Sequence, residues 1–157
     1  SDFIGYDALN SYASPSYYVQ KIFSDYLGNK IVPATVENIP VQNAPLTKED
    51  STKGIKSKQV PTIFYSVTMN DITGIIYLKV VNTISKKQTI KITIDGTEKI
   101  SPQATLVVIK SDKPTDTNSI SDPQKIVPVT STIKGLKNSF SQSFAPYSIT
   151  VMKIQTK

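Results

Sequence analysis

The chain has 157 residues, 38% of them hydrophobic and 19% charged, with a formal net charge of +6. Cys and His are both absent, which excludes disulfides, thiolate and imidazole metal sites, cysteine nucleophiles and every Ser-His-Asp arrangement. All eighteen basic residues are lysine, so the bidentate phosphate and guanine contacts of arginine cannot be made, and the positive charge reads as a solvated surface with neither nucleic acid nor membrane as partner.

The first periodic segment runs from Ser14 to Gly28 and predicts a helix. Ser14 is placed to cap the first exposed amides, Pro15 occupies the first helical position where its missing N–H costs nothing, and Gly28 is expected to supply a left-handed residue after the last turn. Tyr18, Ile22 and Tyr26 form one apolar row and Val19, Phe23 and Leu27 the next. A stripe two rows wide is more than a helix at a domain edge usually carries, so it predicts packing against something larger.

After Gly28 the period changes to two. Short β-branched segments predict eight strands: Lys30 to Glu37, Val60 to Met69, Ile75 to Asn82, Gln88 to Asp95, Gln103 to Lys110, Ile126 to Ile133, Ser139 to Phe144 and Ser148 to Gln155. Ile90, Ile92 and Ile94 alternate with polar residues, which gives that strand one wet face. The Asn70-Asp71-Ile72-Thr73-Gly74 stretch reads as a hairpin loop and Asp95-Gly96 as a second turn of the same kind. Two long loops, Asn38 to Gln59 and Ser111 to Gln124, interrupt the pattern. Strands joined by tight turns, with no helix between them, cannot be parallel βαβ units, which leaves a mainly β fold, an antiparallel β-sandwich or a barrel, with one N-terminal α-helix; the sandwich is favoured.

The chemistry available to such a chain is limited to carboxylates: Asp2, Asp7, Asp25, Glu37, Glu49, Asp50, Asp71, Asp95, Glu98, Asp112, Asp116 and Asp122. Most sit in polar turns, where solvation keeps a carboxylate ionised rather than raising its pKa for acid catalysis, and no spacing nominates a pair. Asp112, Asp116, Asn118 and Asp122 offer oxygen ligands, but without the EF-hand spacing or its glycine they read as a self-satisfied loop. Tyr65 and Tyr77 fall within strands and could line one face as a sugar platform; core packing is the commoner use of such rings. No catalytic residue, metal ligand or cofactor is therefore nominated.

Two groups of residues carry a resemblance. Ile4-Gly5-Tyr6-Asp7-Ala8-Leu9-Asn10-Ser11-Tyr12 followed by Ser14-Pro15-Ser16-Tyr17-Tyr18-Val19-Gln20-Lys21 resembles the end of the catalytic barrel in family 51 glycoside hydrolases, the α-L-arabinofuranosidases. Gly74-Ile75-Ile76-Tyr77-Leu78-Lys79-Val80-Val81-Asn82, the stretch from Asn118-Ser119 to Ile126-Val127-Pro128, and Ala145-Pro146-Tyr147-Ser148-Ile149-Thr150-Val151 resemble the C-terminal domain of that family. The resemblance implies that residues 1–28 are the last loop and helix of a (β/α)8 barrel and that residues 29–157 form an antiparallel β-sandwich, jelly-roll-like, packed on it. It also implies that the two catalytic glutamates lie upstream of Ser1, so Glu37, Glu49 and Glu98 inherit no catalytic role. The expected function is a structural, non-catalytic accessory domain of an enzyme that removes terminal arabinofuranosyl groups from arabinan or arabinoxylan; the alternative is a module that binds such a polysaccharide. A strand contributed from the N-terminal side of the barrel is expected to be missing, leaving an open sheet edge prone to self-association. Ser1 is neither an initiator methionine nor the start of a leader peptide, so the chain reads as an internal piece, and its compartment stays open.

Overall fold

The computed structural model describes residues 3–157; Ser1 and Asp2 lie outside it, and with them one of the twelve carboxylates. Its elements run β1 (Ile4–Tyr6), β2 (Ser11–Ala13), α1 (Pro15–Asp25), β3 (Lys30–Ile31), β4 (Val41–Asn43), α2 (Lys48–Thr52), β5 (Gln59–Pro61), β6 (Ile63–Asn70), β7 (Ile75–Asn82), β8 (Gln88–Thr93), β9 (Ile100–Lys110), β10 (Val129–Lys134), β11 (Ser139–Phe144) and β12 (Ser148–Thr156). Every ladder is antiparallel. The large sheet has the order β10-β9-β12-β7-β6-β3, and β8 pairs with β11 as a second layer. The chain changes layer between β7 and β8, β8 and β9, β10 and β11, and β11 and β12, which makes a sandwich with one broad and one narrow sheet.

The main core lies between those layers. Ile63, Ile76, Leu78, Val80, Leu106, Met152 and Ile154 come from the large sheet, Phe144 from β11, with Ile90, Ile92 and Phe140 packed against them. The strand β12 lies between β9 and β7, and Val151, Met152 and Ile154 on it are 0% exposed. A second, smaller core lies on the outer face of the large sheet, where Ile22 of α1 meets Val107, Ile109, Ile126 and Val151. No helix among the described residues is long and apolar enough to cross a membrane.

Local chemistry explains where the elements depart from expectation. Ser14 does cap α1, its side chain accepting from the Tyr17 N–H, and Pro15 does begin it. Gly28 does not take a left-handed conformation, however, and the helix closes earlier, at Tyr26, whose N–H donates to the Ile22 carbonyl. What requires glycine at position 28 is proximity: a Cβ there would stand 2.5 Å from the backbone nitrogen of Met69 on β6. The strand expected over Lys30 to Glu37 forms a ladder only at Lys30 and Ile31; the Val32 N–H still donates to the Val67 carbonyl, and from Pro33 the chain leaves the sheet to run along the inner cavity. The stretch from Asn38 to Gln59, expected as a loop, contains β4 and the short α2; the Thr47 to Asp50 capping box that starts α2 is a readable signal. Gly74 has φ 69 and closes the β6–β7 hairpin as expected. Gly96 also has positive φ, but the turn it makes carries the chain from one layer to the other, so Asp95-Gly96 is no hairpin.

Candidate docking site on the outer sheet face and the open edge

The apolar stripe of α1 is only partly covered. Ile22 is buried, Tyr18, Val19, Phe23 and Tyr26 are half-buried, and Leu27 is exposed. The large sheet therefore supplies a partner that the sequence had not shown, but it covers one flank of the stripe. The same face of the sheet leaves Phe64 and Ile31 exposed: Ile31 pairs with Thr68, and Thr68 with Tyr77, whose ring meets that of Tyr26 edge-on at 6.1 Å. Lone exposed apolar residues need no explanation, whereas a helix stripe continued by residues of the sheet beneath it is a candidate interaction surface.

Lys79 fixes α1 to that surface. It is 6% exposed, its Nζ donates to the Phe23 carbonyl at 3.0 Å, and the ammonium stands 4.9 Å from the centre of the Phe23 ring. A cation at the C-terminal turn of a helix and over an aromatic ring is favourably placed. Burial nonetheless pushes its pKa below the ordinary 10.5, since desolvation disfavours the charged form. Because the unfolded chain then holds more protons, stability should rise with pH between the lowered native pKa and 10.5. The stability difference between the native protein and Lys79→Met, followed by urea titration at stepped pH, is expected to shift in favour of the native protein across that interval; a difference that stays constant would refute the assignment.

A second feature lies on the inner face. Among the described residues, β8 pairs with β11 on one side and with no strand on the other. Beside it opens a cavity of about 1190 Å³, lined by Ile90 and Ile92 of β8, by Ile94 just beyond its end and by Tyr65, Val67 and Leu78 opposite, with residues 32–40 running along it. Those three isoleucines are only half-buried. The narrow layer thus has apolar surface beside an unused row of backbone donors and acceptors, the condition in which a sheet accepts another strand.

Tyr65 and Tyr77 do not assemble into a sugar platform. Tyr65 pairs with Val80 and faces the cavity, where its hydroxyl donates to the Ala34 carbonyl at 3.2 Å; Tyr77 is on the opposite face against α1. Tyr77 lies three positions along β7 from Val80, the partner of Tyr65, an odd step, so the two rings cannot share a face.

Four of the carboxylates are held in local roles, while Glu37 and Asp95 line the inner cavity. Asp7 accepts from the Leu9 and Asn10 backbone, Asp50 closes the α2 capping box, Asp71 bridges Asn29 and Lys30, and Asp116 meets Lys125. Each of these four is held below the ordinary carboxylate range, first by backbone hydrogen bonds in Asp7 and Asp50, and first by the hydrogen bonds from Lys30 and Lys125 in Asp71 and Asp116. A general acid needs the opposite shift. Among the described residues no three His, Cys, Asp or Glu side chains gather as metal ligands. Within the supposed ligand loop, Asn118 is instead a buried clamp: it donates to the carbonyls of Ala13 and Ile126 and accepts from the Ile126 N–H.

The family described as Alpha-L-arabinofuranosidase C-terminal domain matches residues 1–148. The chain belongs to that family. Solved structures agree in fold over almost the whole chain. An arabinose-bound structure of MgGH51 α-L-arabinofuranosidase is 27% identical over 100% of this chain, with a TM-score of 0.79, and the match covers 22% of that protein. The family 51 enzyme of Thermotoga petrophila RKU-1 is 16% identical over 97% of this chain, TM-score 0.78, with 31% of its own length matched. The family 51 enzyme AbfB of Bifidobacterium longum is 14% identical over 96%, TM-score 0.73, with 27% matched. The chain thus spans less than a third of each. No curated protein matches by sequence. As a member of the arabinofuranosidase C-terminal family, the chain is an accessory domain of a larger type of enzyme.

Proposed function

We propose that this chain is a non-catalytic module that packs, through α1 and the outer face of the large sheet, on the (β/α)8 catalytic domain of an α-L-arabinofuranosidase carried by the same parent polypeptide. The observation that carries this reading is the half-covered stripe of α1, continued on the sheet by Phe64 and Ile31. Covering such residues stabilises a contact by about 25 cal/mol for each Å² of apolar surface removed from water. In this reading residues 1–28 are the last loop and helix of the barrel. The free edge of β8 and the cavity beside it accept a strand from elsewhere in the parent, and in the isolated chain the same edge pairs with a second copy.

Mixing the chain with a separately produced catalytic portion of the parent is expected to raise the melting temperature of that portion, while the chain alone leaves an aryl arabinofuranoside intact. Turnover by the purified chain alone, or a melting temperature unmoved by mixing, would overturn the proposal. Sedimentation of the isolated chain at rising concentration is expected to show growing mass, with a constant monomer counting against the open edge.

A further inference from the structure

The hairpin β1–β2 is absorbed by neither core. Leu9 and Tyr6, on and beside its turn, are 92% and 81% exposed. The turn is nevertheless tightly tied. The Asp7 carboxylate accepts from the N–H groups of Leu9 at 2.8 Å and Asn10 at 2.7 Å, and the Asp7 N–H donates to the Asn10 carbonyl. Tyr12 lies so close across Gly5 that a Cβ there would collide with the ring. The base is anchored as well, through the Ser14 N–H to Phe3 and through Asn118, 1% exposed, to Ala13. Two apolar side chains are thus presented to the outside on a braced support.

We propose that this hairpin tip forms part of the rim of the substrate cleft in the parent enzyme, where Tyr6 stacks on, and Asn10 and Ser11 hydrogen-bond to, sugar units next to the one removed. The inference rests on the reading of α1 as the last barrel helix. A loop that precedes a barrel helix connects it to the preceding barrel strand, and such loops lie at the end of a (β/α)8 barrel that carries the active site. The chemistry of the tip favours sugar over a dry protein contact. The Tyr6 hydroxyl, the Asn10 side-chain oxygen and the Ser11 hydroxyl make no hydrogen bond among the described residues, whereas the Asp7 carboxylate is fully engaged. Burial against protein would leave those groups unpaired at a cost, while a hydroxyl-rich ligand or water pairs with them. A tyrosine ring flanked by such groups combines an apolar face with polar handles, which is the combination a sugar ring requires.

The test uses the full-length parent enzyme. For Tyr6→Ala, the ratio of kcat/KM on an arabinose-bearing oligosaccharide to kcat/KM on a small aryl arabinofuranoside is expected to fall about fivefold. Ile72→Ala, another exposed apolar residue on the distant β6–β7 turn, should keep the native ratio. A native ratio in Tyr6→Ala overturns the proposal, and so does a lowered melting temperature with the ratio intact, because that places the tip against protein. If the native parent releases arabinose from neither substrate, the proposed function itself fails, a result distinct from the loss of the hairpin assignment alone.

Discussion

Phe144→Ala is expected to lower the unfolding free energy by about 3–5 kcal/mol, the usual cost of truncating a fully buried aromatic ring. Phe144 is 1% exposed and comes from β11, the narrow layer, into the main core formed largely by the broad sheet. Its ring is one of few groups by which the two-stranded layer holds on to the other, so the surrounding side chains cannot collapse into the space without pulling the layers together. Urea denaturation checks the figure. A loss below about 1 kcal/mol would mean that the site relaxes freely and that the narrow layer is held by something else. The loss is a large share of the 5–15 kcal/mol typical of a domain.

Asn82→Ala should cost about 2–4 kcal/mol, chiefly by orphaning buried carbonyls. The Asn82 side chain donates to the carbonyls of Lys86, Phe144 and Ala145 and accepts from the Ile84 N–H and the Gln88 amide. It thereby ties the crossover from β7 to β8 to the crossover from β11 to β12. Asn82→Asp tests the mechanism, because it preserves shape and acceptors but removes the donor to those carbonyls. It should be destabilised at least as much as the alanine variant at neutral pH, and native-like stability in Asn82→Asp would show that the donor is not what holds the crossovers.

These two residues also show how far the amino-acid pattern could be read. β7 and β11 occupy the residues expected of them, and β12 extends the expected range by one, because alternation or continuous β-branched character is bounded by Gly74, Asn138 and Pro146. A strand is a local event, legible wherever its punctuation is. Asn82 and Asn118 work over 63 and 105 residues of sequence, and nothing near them announces that reach. The β1–β2 ladder is not legible because two three-residue strands carry too little periodicity, and α2 announces itself only by its capping box because five residues fall below one clear hydrophobic repeat. The sequence around Gly28 points to the commonest use of a glycine after a helix, whereas its actual requirement, room for the β6 backbone, depends on a strand about forty residues away. For the candidate site, the width of the α1 stripe was visible in the spacing alone. Which flank the sheet would cover was not, because that depends on the layer order.

The central position of β12 has a consequence for biosynthesis. β6–β7 and β9–β10 can each pair soon after leaving the ribosome, but neither half-sheet touches the other until β12, the last strand in order, enters between them. Until then the nascent chain carries two sticky ribbons with inward edges facing open solvent, and a translational pause shortly before Ser148 would prolong the interval in which a chaperone is most needed.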